Sequence, residues 1–210
     1  MSGEDKSSYI DEFRGDHEKN SDLVVTVDGP AGSGKGTLGK FIADKLGINY
    51  YSAGDFFREI ASEKNMTVEE LSEKAGRDVD LKVDRRTLEK GLEENCVIES
   101  RLPSRVLGDY SDLRIHVTAD LEERARRAIR DQEEGERNDE ETADNVEEKM
   151  EKMEKRDQDN WDRYMEYYPS LDDGLEIFDV LIDNTEMGID EQEEMVEKML
   201  RRKFPERFDR

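Results

Sequence analysis

The segment VDGPAGSGKGT, residues 27–37, constrains the fold more than any other part of this chain. It joins a β-branched run, LVVTVDG over 23–29, to a stretch in which Leu38, Phe41, Ile42 and Leu46 recur at helical spacing until Gly47. The first part reads as a buried strand and the second as an amphipathic helix. A glycine-rich turn with a lysine, set between strand and helix, is suited to surrounding phosphate. Gly29, Gly32, Gly34 and Gly36 allow backbone N–H groups to turn inward. The helix start adds the positive end of its dipole. Lys35 brings a mobile charge to β- and γ-phosphates. Pro30, Ala31 and Ser33 complete the candidate cradle. Gly36 follows the lysine where the usual pattern has Ser or Thr, and the hydroxyl comes one place later, at Thr37. The competing reading, an ordinary glycine turn, does not account for the lysine in register.

Further along, INYYS (48–52), CVIES (96–100), LRIHVTA (113–119) and IFDVLIDN (177–184) read as strands. Helical patterns cover 55–64, 67–75, 79–92, 120–132, 146–168 and 190–203. Thr67 and Glu70 are spaced as a capping box. Strands alternating with helices predict a parallel sheet covered on both faces.

This order matters because the composition alone leaves folding open. Leu, Ile, Val and Phe number 44 of 210 residues, 42% of residues are charged, and the net charge is −23. Such values border on those of disordered chains. The regular alternation assigns a fold to residues 22–205, while residues 1–21 read as a disordered acidic extension. The 56 acids against 33 bases argue against nucleic-acid binding. A single cysteine, Cys96, excludes an internal disulfide. No apolar run of about 18 residues is present, so no membrane helix is expected. The first 20 residues hold no apolar signal core. The expectation is a cytoplasmic monomer with no membrane or nucleic-acid partner. Only 14 of the bases are lysine, and a Lys-poor acidic surface fits concentrated salt, where self-repulsion is screened. From Leu23 to Arg58 the acid is relieved: four bases stand against three acids. An anionic ligand fits there.

The GKGT sequence at residues 34–37 resembles that of nucleoside monophosphate kinases. YYSAGDFFREIA (50–61) resembles their acceptor segment. VIESRL (97–102), EKRDQDNWDRYMEYY (154–168) and FDVLIDNT (178–185) are similar to segments of archaeal-type cytidylate kinases, in the same order. The resemblance covers roughly residues 22–200. It implies a P-loop NTPase fold, a three-layer αβα sandwich on a five-stranded parallel sheet. A helical monophosphate-binding segment over about 52–92 and a small lid over about 130–145 would complete it. It implies ATP-dependent phosphorylation of CMP and dCMP, with Mg²⁺. Lys35, Arg101, Arg156 and Arg163 match the catalytic cations. Ser52, Ala53, Asp55, Arg58, Arg101, Asn160 and Arg163 match the acceptor contacts. Residues 29–37 with Arg124, Arg127 and Arg130 match the ATP contacts. Thr37 and, through water, Glu99 match the metal contacts; Asp28 is the weaker carboxylate candidate. Arg156, Asn160 and Arg163 also stand at i, i+4 and i+7, on one helical face. For each arginine the competing reading is a surface ion pair, worth little. Ser100 departs from the family's usual glycine, and Asn160 from an acidic ribose contact of the bacterial enzymes. The adenylate-kinase DGFPR sequence is absent, as are zinc-binding lid cysteines. AMP or UMP as acceptor, or a catalytically inactive nucleotide-binding protein, are the alternatives.

Overall fold

A computed structural model describes residues 17–67, 70–71, 76–133, 143–167 and 174–208. Its strands are β1 (Val24–Asp28), β2 (Asn49–Ser52), β3 (Cys96–Ser100), β4 (Leu113–Thr118) and β5 (Val180–Asp183). They form one sheet in the order β2-β3-β1-β4-β5, with every neighbouring pair parallel. The helices are α1 (Lys35–Leu46), α2 (Ala53–Glu63), α3 (Arg77–Glu93), α4 (Pro103–Leu107), α5 (Leu121–Glu133), α6 (Val146–Tyr167) and α7 (Ile189–Lys203).

Period-2 alternation explains the three layers. Val25 and Val27 of β1 point to one face, where Val97, Ile115, Val117 and Ile182 join Leu38, Ile42 and Leu46 of α1 and Val196 and Leu200 of α7. Val24, Cys96 and Ile98 point to the other, against Leu88 of α3 and Val106 and Leu107 of α4. These strands are buried on both sides, as a parallel sheet requires. The sparse apolar residues suffice because they are concentrated in the two interfaces, leaving the outer helix faces to the charges. A smaller cluster of Ile60, Ala61, Leu71 and Val79 joins α2 to α3. Ala125, Ala128 and Met153 join α5 to α6. The Thr67–Glu70 capping box forms as expected: the Thr67 N–H donates to Glu70 Oε2 and the Glu70 N–H to Thr67 Oγ1.

Among the boundaries that differ from the sequence reading, three have a visible physical reason. The α2 helix begins at Ala53, because Ser52 and Asp55 form a second capping box. The β5 strand is shorter than 177–184, since Phe178 leaves the ladder and sets its ring 4.9 Å from that of His116. The packed body begins before residue 22. The N–H groups of Asn20 and Ser21 donate to the Leu92 carbonyl, and the Ser21 hydroxyl to that of Gly91. Residues 1–16 of the expected extension and 134–142 of the expected lid lie outside the described residues.

Candidate active site

β1 ends at Asp28, and the chain turns through three glycines into α1. Gly29, Gly32 and Gly34 all have positive φ, at 155°, 75° and 81°. A Cβ on Gly29 would stand 2.2 Å from the Val117 carbonyl oxygen, and one on Gly32 would stand 2.7 Å from that of Arg124. The loop can therefore pass this closely over β4 and α5 only with glycine there. Gly34 caps α1 with no side-chain bond, and the first turn of α1 carries no acid. Among the described helices longer than five residues, α2, α3, α5, α6 and α7 all carry first-turn acids. The dipole of α1 is thus left for an external anion. Thr37 lies exposed one turn in.

Lys35 Nζ donates to the Pro30 carbonyl at 3.2 Å and stands 3.6 Å from Glu99 Oε2. Both side chains are largely buried, and Glu99 Oε2 accepts no hydrogen bond. Asp28, in register with Ser100, the residue after Glu99, is fully buried. It accepts from the backbone N–H and the hydroxyl of Ser104. Burial outweighs these bonds and pushes its carboxyl up to about 8.

The back of the loop is held by α5. Arg124 donates to the Ala31 carbonyl at 3.2 Å and to Asp157 of α6 at 2.8 Å. Arg127 gives Nη1 to Asn184 Oδ1 and Nη2 to the Asn184 carbonyl, both at 2.9 Å, and Nε to Glu123. Two of the three arginines matched to ATP therefore grip the protein here, while Arg130 lies exposed. Asn184, not singled out by the sequence reading, donates to the Ser33 carbonyl.

On the acceptor side, Ser52 and Asp55 fix the start of α2, where Ala53 is half-buried. Arg58 reaches back to Asp55 at 2.5 Å and is largely exposed. Arg58 and its partners Ser52 and Asp55 form one local set. Arg101 and Arg163 form another, around a residue the sequence reading did not select, Asp80 of α3. Arg163 Nε lies 2.8 Å from Asp80 Oδ2, and its Nη2 donates to Asn160 Oδ1 at 2.9 Å. Asn160 in turn donates to the Arg156 carbonyl, and the Arg156 side chain stays exposed. Burial raises the Asp80 carboxyl, while the charges of Arg163 and Arg101 pull it down. Burial likewise pushes up the neighbouring Tyr164 phenol. The i, i+4 spacing of Asp80 and Asp84 on α3 was the available signal, submerged among many acids.

Comparison with known proteins gives the family. A family model described as an AAA domain matches residues 25–158. The cytidylate kinase of Staphylothermus marinus is 34% identical over 185 residues, 85% of this chain and 99% of that one. That of Halobacterium salinarum is 34% identical over 171 residues, covering 80% and 84%. That of Ignicoccus hospitalis is 44% identical over 109 residues, covering 51% of this chain and 63% of the relative. The shikimate kinase of Bacteroides thetaiotaomicron shares the fold, with a TM-score of 0.59 at 16% identity over 86% of this chain and 97% of that one. With a parallel 2-3-1-4-5 sheet, a glycine cradle at the end of β1 and a relative 34% identical matched along 99% of its length, this chain belongs to the archaeal-type cytidylate kinases of the P-loop fold.

Proposed function

We propose that the chain transfers the γ-phosphoryl group of ATP to CMP and dCMP. One observation carries this reading: two cationic sets are separated by only two residues of β3 and its exit. Glu99 faces Lys35 of the phosphate loop, and Arg101 faces Asp80 with Arg163. A donor triphosphate fits the first set and an acceptor monophosphate the second. An oxygen of the acceptor phosphate attacks the γ-phosphorus, the bond to the β–γ bridging oxygen breaks, and ADP leaves. No covalent enzyme intermediate is needed, and catalysis is positioning and neutralisation of charge.

Inward N–H groups over residues 29–37 hold the donor phosphates, and Lys35 neutralises charge on the group in transit. Arg101 and Arg163 hold the acceptor phosphate, with Arg156 on the same helix. Asn160 orients Arg163. The start of α2, with Ser52, Ala53, Asp55 and Arg58, borders the acceptor. Arg130 lies where α5 leads toward the lid segment, on the ATP side. Mg²⁺ would supply further neutralisation of the donor phosphates. The orphaned, buried Glu99 Oε2 fits a metal-bound water, and the Thr37 hydroxyl fits a direct ligand.

The names of the relatives support cytidylate over adenylate or uridylate as acceptor. The test is ADP release, coupled to a detection enzyme, over CMP, dCMP, UMP and AMP in concentrated KCl. A kcat/KM for CMP at least tenfold above those for UMP and AMP is expected. Preference for AMP or UMP would overturn the acceptor assignment, and ATP binding without turnover on any of the four would favour the inactive alternative.

A further inference from the structure

The side chain of Asn184, at the exit of β5, is almost wholly buried, at 2% exposure. Its backbone N–H donates to the Thr118 carbonyl at the end of β4. Its Nδ2 donates both to the Ser33 carbonyl of the glycine loop at 2.9 Å and to Gln192 Oε1 of α7 at 3.0 Å. Its Oδ1 and its carbonyl each accept from Arg127 of α5. Every polar atom of the side chain is thus committed, and four separate elements meet on it.

The direction of these bonds matters for the loop. A peptide unit whose carbonyl is held toward the protein turns the next N–H away from it. Asn184 takes the Ser33 carbonyl, and Arg124 takes the Ala31 carbonyl two residues earlier. Both grips come from behind the loop. They leave the N–H groups at Gly32 and Gly34 directed to the open side, where an anion sits in a cradle of this kind. A Cβ on Gly34 would stand 3.4 Å from Asn184 Nδ2 and 3.9 Å from Arg127 Nη1, so both groups lie directly against the loop.

We propose that Asn184 is a positioning residue for the donor-nucleotide site: locked by Arg127 and Gln192, its amide holds the Ser33 carbonyl and thereby sets the phosphate loop. This rests on the reading of residues 29–37 as the donor cradle. It also assigns Arg127 a part different from direct contact with ATP, since both its terminal nitrogens are spent on Asn184. The residue acts on the substrate only through the loop.

The decisive variant is Asn184→Asp. It keeps the volume and the acceptor for Arg127 but replaces the amide donor at the Ser33 carbonyl with an oxygen. In 2 M KCl the KM for ATP should rise at least tenfold, with the Kd for a fluorescent ADP analogue rising in parallel. The KM for CMP should stay within about twofold. A residue with a purely structural part would lower the folded fraction instead, reducing kcat while leaving both KM values alone. If Asn184→Asp does not fold, Asn184→Ala carries the same test on the folded fraction measured by circular dichroism. Equal change in both KM values, or no change in either, would overturn the proposal. Lys35→Met run alongside separates the two readings. An inactive Lys35→Met with a normal Asn184→Asp refutes only the part given to Asn184, whereas a fully active Lys35→Met removes the donor cradle itself.

Discussion

Replacing Lys35 by Met tests the centre of the site, and the structure shows why one readout is not enough. Lys35 Nζ stands 3.6 Å from Glu99 Oε2, and the two side chains are 13% and 14% exposed. At about this distance a pair of unit charges near a protein surface attracts by roughly 4 kcal/mol before desolvation, which takes back much of it. Removing the lysine alone leaves a buried carboxylate oxygen without hydrogen bond or counter-charge. A group stranded in this way costs about 1–3 kcal/mol. In a chain of this size that lowers the melting temperature by about 2–12 °C. The loss of activity has a different origin. Losing a preorganised charge aimed at the transferring group lowers kcat by roughly 10²–10³. The two effects separate in the double variant Lys35→Met/Glu99→Gln, which removes the stranded charge. Its melting temperature should recover most of the loss while kcat stays at or below the level of Lys35→Met, since Glu99 is also assigned to the metal-bound water. Activity would be followed by coupled ADP release and stability by circular dichroism in the same buffer. A Lys35→Met enzyme within tenfold of the parent would refute the phosphate-loop assignment. A double variant no more stable than the single would refute the pairing of Lys35 with Glu99.

Three further outcomes are expected. Arg101→Ala should raise the KM for CMP at least tenfold with little change in that for ATP, and the exposed Arg58→Ala should have a smaller effect of the same kind; steady-state kinetics with each substrate varied decides. The folded Asp28 carboxyl holds its proton up to about pH 8, against 3.8 for an aspartate in water, so stability contributed by this group falls as pH rises from about 4 to 8, by at most about 1.4 kcal/mol per unit, and is level above; urea melts across that window should be flatter for Asp28→Asn than for the parent. With a net charge of −23, the melting temperature should be higher in 2 M than in 0.05 M KCl, because the screening length drops from tens of ångströms in dilute salt to about 3 Å near 1 M; an unchanged value would mean that the acidic surface is no salt adaptation.

The parts legible in the sequence are those in which a local pattern and a long-range requirement coincide. The β1 run, the positive-φ glycines and α1 form one continuous unit, and the alternation of strands and helices left few possible sheets. What was hidden depended on the partner across space. Arg124 and Arg127 were visible as one basic helical face, yet only the fold reveals that this face meets the carbonyls of Ala31 and Asn184. Asn184 after a strand looks like any turn residue. Asp80 is one acid among 56, and only its position against Arg163 sets it apart. The Ser52–Asp55 capping box could have been read, since it has the same spacing as Thr67–Glu70. Phe178 could not, because hydrophobicity along a strand does not reveal where the ladder stops.

The charge pairs at the site can be set beside those on the outer helices. On the outer helices several bases pair with acids one turn away on the same helix: Arg85 with Glu89, Lys152 with Glu148, Lys198 with Glu194, Arg201 with Glu197; others cross between helices, Arg86 to Glu59 and Glu63 and Lys45 to Glu197. The pairs within one helix are set by local spacing and contribute a few tenths of a kcal/mol each. Two of the site cations are balanced across elements, although Arg58 pairs locally with Asp55. Lys35 faces Glu99 from the sheet, and Arg163 faces Asp80 from another helix. Each of these pairs spans two elements, so it holds only while those elements keep their relative places. A phosphate brought between them can take over the lysine or arginine by bidentate or shared hydrogen bonds, which a local helical pair on the surface does not invite. A strongly anionic protein repels anionic nucleotides at long range, and salt suppresses that repulsion. Close to the loop the acid is relieved, because the first turn of α1 carries no acid and Lys35 stands against the end of β3, which Arg101 follows. Acid in the first turns of α2, α3, α5, α6 and α7 and its absence from that of α1 therefore leave the helix start after the glycine loop as a place where an anion meets less repulsion.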